Sequence, residues 1–182
     1  MSLEIEAMAM TAELKGVPGQ PDELTNSETY SRSIVGPVSF KLSNLNVRGR
    51  STKPAAPANS PYIIAADEAY DVSVDIEFNR APLTELLMCL GTQVTIYFAF
   101  EGLGRRAVEV DLSQTILTRK DVYSYRVTYS GVPARDGLTS GLYSISATAE
   151  VGPVRNACST KIFGHGYIKE VLLQVYPAGA EI

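Results

Sequence analysis

The sequence predicts an all-β protein: an antiparallel two-sheet sandwich with one short helix at about 82–90 and an extended N-terminal arm. Three observations carry this prediction. Beyond residue 61, apolar and polar residues alternate with period two in run after run, the pattern of strands with one face on a core and the other in water. Gly, Pro, Asp and Asn punctuate the runs as turns. A single stretch switches to helical spacing.

The arm comes first, over residues 1–60. Gly16, Pro18, Gly19, Pro21, Gly36 and Pro37 interrupt residues 11–37, and Pro54, Pro57 and Pro61 hold the stretch 49–61 extended, because proline fixes φ and bars a helix. Between them Val38, Phe40 and Leu42 alternate with Ser39, Lys41 and Ser43, which predicts one strand near 38–43 inside the arm.

The sandwich domain follows, over residues 61–182. Its strands are read from Val72, Val74, Ile76 and Phe78; from Val94, Ile96, Phe98 and Phe100; from Val108, Val110 and Leu112; from Tyr123, Tyr125, Val127 and Tyr129; from Tyr143, Ile145, Ala147, Ala149 and Val151; and from Val171, Leu173 and Val175. Each run alternates with polar residues, so each offers one apolar face. Glu101-Gly102-Leu103-Gly104, Ala134-Arg135-Asp136-Gly137, Gly152-Pro153 and Gly164-His165-Gly166 supply turns between them.

The exception is Pro82–Gly91, with apolar residues at 83, 86, 87 and 90, Pro at the start and Gly just past the end. These are the marks of a short helix with its apolar side on the sheets, closing one end of the sandwich. On this reading Leu86 is buried, and Leu86→Asp destabilises the fold by several kcal/mol. Cys89, among leucines, reads as a small core hydrophobe.

Ser140-Gly141-Leu142-Tyr143, followed by Ile145 and Ala147, resembles the late-strand corner of immunoglobulin-like domains. In that corner a Tyr near the strand start ties back to the preceding turn. The resemblance implies an immunoglobulin-like sandwich. The Cys–Trp–Cys signature is absent, since the chain has no Trp, and a likeness of fold says nothing about function.

Composition limits the functional classes. Of 182 residues, 45% are hydrophobic and 20% charged, too apolar for a disordered chain. Sixteen basic residues against twenty acidic give a net charge of −4, and all of the excess acid lies after residue 61. A chain so charged lacks the field that attracts phosphate backbones, which argues against nucleic acid as a partner. No stretch reaches the roughly 20 apolar residues of a membrane-crossing helix. The first residues carry Glu4 and Glu6 where an export signal needs bases, so the expected location is cytoplasmic, with export by a non-classical route as the alternative. Cys89 and Cys158 are the two thiols. A disulfide between them is one option, and nothing in the sequence signals an oxidising compartment.

The inventory for catalysis is thin. His165, the one imidazole, lies between two glycines. It reads either as a mobile base or, as we prefer, as a turn residue. No nucleophile or phosphate-binding motif accompanies it, so no catalytic residue and no cofactor are assigned. Asp67, Glu68 and Asp71 are candidate ligands for Ca²⁺ in an end loop, with a solvated strand edge as the plainer reading. Arg48, Arg50, Lys53, Arg105 and Arg106 read as an anion patch or as solubilising charges. Ten tyrosines outnumber five phenylalanines. Tyr97, Leu172 and Tyr176 fall in the outward phase of their strands and make a candidate protein-contact surface, with cross-strand pairs inside one sheet as the alternative.

Two functions follow. The first is a non-catalytic structural or protein–protein interaction module, self-assembling by means of its arm into a homo-oligomer. The second is a ligand- or Ca²⁺-binding sandwich, or a hydrolase, with a site in the end loops.

Overall fold

The structure, a computed structural model, describes residues 37–51, 62–104, 108–155 and 161–179. The chain divides into two units, Met1–Pro37 and Val38–Ile182. The second holds every described strand. In order these are β1 (Phe40–Gly49), β2 (Ile63–Ala65), β3 (Tyr70–Phe78), β4 (Thr92–Leu103), β5 (Glu109–Leu117), β6 (Ser124–Gly131), β7 (Gly141–Val154) and β8 (Gly164–Tyr176). Helix α1 (Pro82–Leu90) joins β3 to β4, and the single turn α2 (Pro133–Asp136) joins β6 to β7.

The strands form two sheets, one in the order β1-β3-β6 and one in the order β2-β8-β7-β4-β5. Their inward side chains meet in one core. Val72, Val74 and Ile76 of β3 and Val127 of β6 face Ile96, Phe98 and Phe100 of β4 and Ile145, Ala147 and Leu173 of β7 and β8, all fully buried. Burying each large apolar side chain contributes about 1.5–3 kcal/mol. The strand order and the corner after β6 are those of an immunoglobulin-like sandwich. Tyr143, buried at the start of β7, donates a hydrogen bond to the Thr139 carbonyl at 2.7 Å, the tie that the corner sequence implies.

The strand expected near 38–43 is β1. It runs on to Gly49 after a bulge between Ser43 and Asn46 and pairs with β3. The rest of the expected arm, residues 1–36 and 52–60, lies outside the described residues.

Several expectations need correction. Strand β2 carries no alternation in its three residues, and it pairs with β8 in parallel, the one parallel pair among the described strands, which otherwise pair antiparallel. Gly164-His165-Gly166 is not a turn before the last strand; it is part of β8. Gly166 serves packing: a Cβ there would meet the Phe40 ring at 2.5 Å, so β1 comes close to β8 at this position.

Helix α1 has the predicted ends. Pro82 occupies the first turn, and Gly91 closes the helix at φ 71, its N–H bonded to the Met88 carbonyl, a left-handed cap that glycine adopts without strain. Its buried face differs from the expected one. Thr84 and Met88, one turn apart, are fully buried. Leu83 and Leu87 are half-buried, Leu86 is 51% exposed, Leu90 is exposed, and Cys89 is exposed as a free thiol. Polar anchors decide this rotation. The Thr92 hydroxyl donates to the Leu87 carbonyl at 2.7 Å, the Thr84 hydroxyl donates to Asn79 at 2.8 Å, and the Tyr125 hydroxyl reaches the Met88 sulfur at 3.8 Å. Cys158, the other half of the candidate disulfide, lies outside the described residues.

Candidate interaction surface

The two outer faces of the sandwich differ in chemistry. On the three-stranded sheet the outward side chains are polar and pair with one another. Lys41 meets Glu77 at 2.9 Å. Arg126 grips Asp75 through both oxygens at 2.7 and 2.9 Å, and Asn44, turned outward by the β1 bulge, donates to the same carboxylate at 2.9 Å. Arg50 binds Asp71 through Nε at 2.8 Å, and Ser130 donates to Asp71 as well. Hydrogen bonds from Arg50 and Arg126 hold the Asp71 and Asp75 carboxyls below the usual carboxylate range.

The outer face of the five-stranded sheet is richer in apolar groups. Tyr97 (39% exposed) and Leu172 (50%) lie on it, as the alternation predicts. Tyr176 shares the face but is half-buried at the edge, where β2 pairs with it. Three further residues add to it: Leu103 (51%), Leu142 (40%) and Tyr167 (62%). Leu103 and Leu142 stand directly opposite each other on β4 and β7. Leu172 is diagonal to Leu142, because it pairs with Ser144, and such neighbours lie within about 8 Å. Leu142 and Tyr167 occupy the outward phase of strands whose neighbouring outward residues are polar, so an apolar residue out of phase was the available signal. Leu103 sits between two glycines and reads as a turn until β4 is seen to extend to it.

The Tyr97 hydroxyl donates to Glu150 at 3.1 Å, which raises its pKa through that hydrogen bond. His165 approaches the other Glu150 oxygen at 3.5 Å. The imidazole is therefore an exposed strand residue beside a carboxylate and not the turn residue of the sequence reading.

The candidate calcium ligands do not converge. Glu68 accepts the backbone N–H groups of Ser51 and Ala65 at 2.9 and 3.2 Å, Asp71 is taken by Arg50 and Ser130, and Asp67 is exposed. Among the described residues no group of three His, Cys, Asp or Glu side chains is placed to hold a metal ion. Arg50 belongs to the Asp71 pair, and Arg48 is exposed opposite Asp71. Lys53, Arg105 and Arg106 lie outside the described residues.

One half-buried polar cluster escaped the sequence reading. Asp136 of α2 accepts hydrogen bonds from Tyr70 and Tyr129, each at 2.9 Å. Burial, reinforced by Asp136, pushes both phenols above their ordinary pKa, so they stay protonated as donors. The cluster pins α2 to the three-stranded sheet. Beside it an open depression of about 310 Å³ is lined in part by Arg50, Arg135 and Val132.

No protein-family model and no curated protein matches this chain. Solved structures similar to it include AggA, the major subunit of aggregative adherence fimbriae type I from Escherichia coli. That protein has 10% sequence identity and a TM-score of 0.38, over 77% of this chain and 95% of the other. A protein of Akkermansia muciniphila has 9% identity and a TM-score of 0.42, over 79% and 81%. A β-glucosidase from Listeria innocua has 12% identity and a TM-score of 0.36, over 76% of this chain but 16% of its own length.

Proposed function

We propose that the protein is a non-catalytic assembly module that associates with copies of itself through the outer face of its five-stranded sheet. The contrast between the two outer faces carries this reading. One face satisfies its charges internally, whereas the other presents Leu103, Leu142, Leu172, Tyr97 and Tyr167 to solvent, the mix of aromatic and aliphatic groups that tolerates both water and a partner. The N-terminal segment enters the proposal as a second contact. Among the described residues no strand pairs with the outer edges of β5 and β6, and a free edge accepts an added strand.

Light scattering coupled to size-exclusion chromatography tests both parts. The full chain is expected to run larger than a monomer, and Leu142→Glu to reduce its mass. A deletion of the N-terminal segment must stop at Pro37, because β1 belongs to the sandwich. If that deletion leaves assembly intact, the segment has no part in it. A full chain that stays monomeric at its highest soluble concentration overturns the proposal.

A further inference from the structure

We infer that the five-stranded sheet docks face to face on the same sheet of a second copy, about a two-fold axis running along the strands between β4 and β7. The inference rests on the assembly reading and adds the partner's orientation. It comes from the arrangement of charge across the face. Lys169 on β8 pairs with Ser146 on β7, Ser146 with Ala99 on β4, and Ala99 with Asp111 on β5. One row across four strands therefore begins with a cation and ends with an anion, about 14 Å apart at roughly 4.8 Å per strand. Both side chains are exposed, and neither forms an ion pair with a described residue.

A two-fold axis along the strands lays β5 of one copy over β8 of the other. Lys169 then meets Asp111 of the second copy, and Asp111 meets its Lys169, the reciprocal contact that such symmetry requires. Leu103 and Leu142 straddle the axis, so the leucine pair of one copy covers that of the other. The competing two-fold, across the strands, lays β5 on β5. Where it crosses at or next to the Asp111 row, it gathers Glu109 and Asp111 from both copies, with Glu101 directly opposite Glu109 in each, and like charges brought together in an interface are strongly disfavoured. Size is adequate as well. Four strands about 19 Å wide and about 33 Å long present roughly 600 Å² in plane before side-chain relief, close to the roughly 800 Å² per partner of a standard interface.

Charge exchange tests the orientation on the full chain. Lys169→Glu alone and Asp111→Lys alone each place like charges in both crossed contacts, so each variant is expected to self-associate at least about tenfold more weakly. Mixed in equal amounts, the two variants are expected to recover wild-type association as heterodimers. In the mixed dimer the introduced glutamate meets the introduced lysine, and the native Lys169 of one copy meets the native Asp111 of the other. Native mass spectrometry with one variant isotopically labelled reads the species directly, and circular dichroism checks that these surface changes leave the fold intact. Single variants that associate like wild type, or a mixture without heterodimer preference, overturn the two-fold. Leu142→Glu separates the two levels of failure. If it dissociates the assembly while the charge variants do not, the assembly reading stands and this orientation falls. If it too is without effect, both fall.

Discussion

Helix α1 gives the sharpest stability test, because the sequence and the structure name different buried residues. Met88 is fully buried and its sulfur lies 3.8 Å from the Tyr125 hydroxyl. Met88→Ala removes that contact and leaves a cavity, a change that costs about 2–5 kcal/mol out of a typical total of about 5–15 kcal/mol. For a chain of this size, about 2–4 °C per kcal/mol translates this into a fall in Tm of roughly 4–20 °C. Leu86 is 51% exposed, so Leu86→Asp forfeits about half of a leucine's burial energy plus a helix-propensity difference, about 1.2–2 kcal/mol together. Urea unfolding followed by tyrosine fluorescence suits the assay, since the chain has ten Tyr and no Trp. Met88→Leu, which keeps the volume, is expected to cost less than about 1.5 kcal/mol. A Leu86→Asp variant destabilised as much as Met88→Ala would refute the rotation of the helix described above.

Other outcomes follow from the same structure. Tyr143→Phe deletes the hydrogen bond to the Thr139 carbonyl, at a cost of about 1–3 kcal/mol if the carbonyl is left unpaired; an unchanged Tm shows that the corner tie is dispensable. Gly166→Ala forces the Phe40 ring away and is expected to cost about 1–3 kcal/mol, with part of the loss recovered when Phe40→Leu is added. A strictly additive double variant would place Phe40 elsewhere. The Asp71 and Asp75 pKa values are lower in the folded state than in the unfolded chain. Their contribution to stability is thus complete above the usual carboxylate range near pH 4 and lost as the pH falls through the depressed values. Thermal melts from pH 7 to pH 2 should show Asp75→Asn losing less on acidification than wild type, and parallel curves would contradict the pairing with Arg126. Tyr70 and Tyr129 carry the opposite sign: their folded values are raised, so stability present below about pH 10 is lost as the pH rises. Replacing both with Phe should flatten the alkaline limb of the stability profile.

Alternation was enough to find seven of the eight described strands, because a half-buried strand must put every second side chain in the core. Val72–Phe78, Val94–Phe100 and Tyr143–Val151 read directly as β3, β4 and β7. Gly91 and Pro82 marked the ends of α1 for local reasons, a left-handed φ and a preset one. The corner tyrosine was legible because its partner lies only four residues away. Leu172 and Tyr97 were placed outward by phase alone, as was Tyr176, which β2 half-covers.

What the sequence could not supply depends on neighbours distant in the chain. Strand β2 is too short to carry a period, and only β8 beside it makes it a strand. Which side of α1 is buried was decided by Thr92 and Tyr125, which fix the helix through its carbonyls and its Met88 sulfur. The glycines around His165 looked like a turn, but they lie within β8, and the Phe40 ring, more than a hundred residues away, needs the missing side chain of Gly166. Lys169 and Asp111 fall in one row because three separate strand registers align. Side-chain phase is a local property of the backbone, whereas register and helix rotation are set by contacts between segments that only the folded chain brings together.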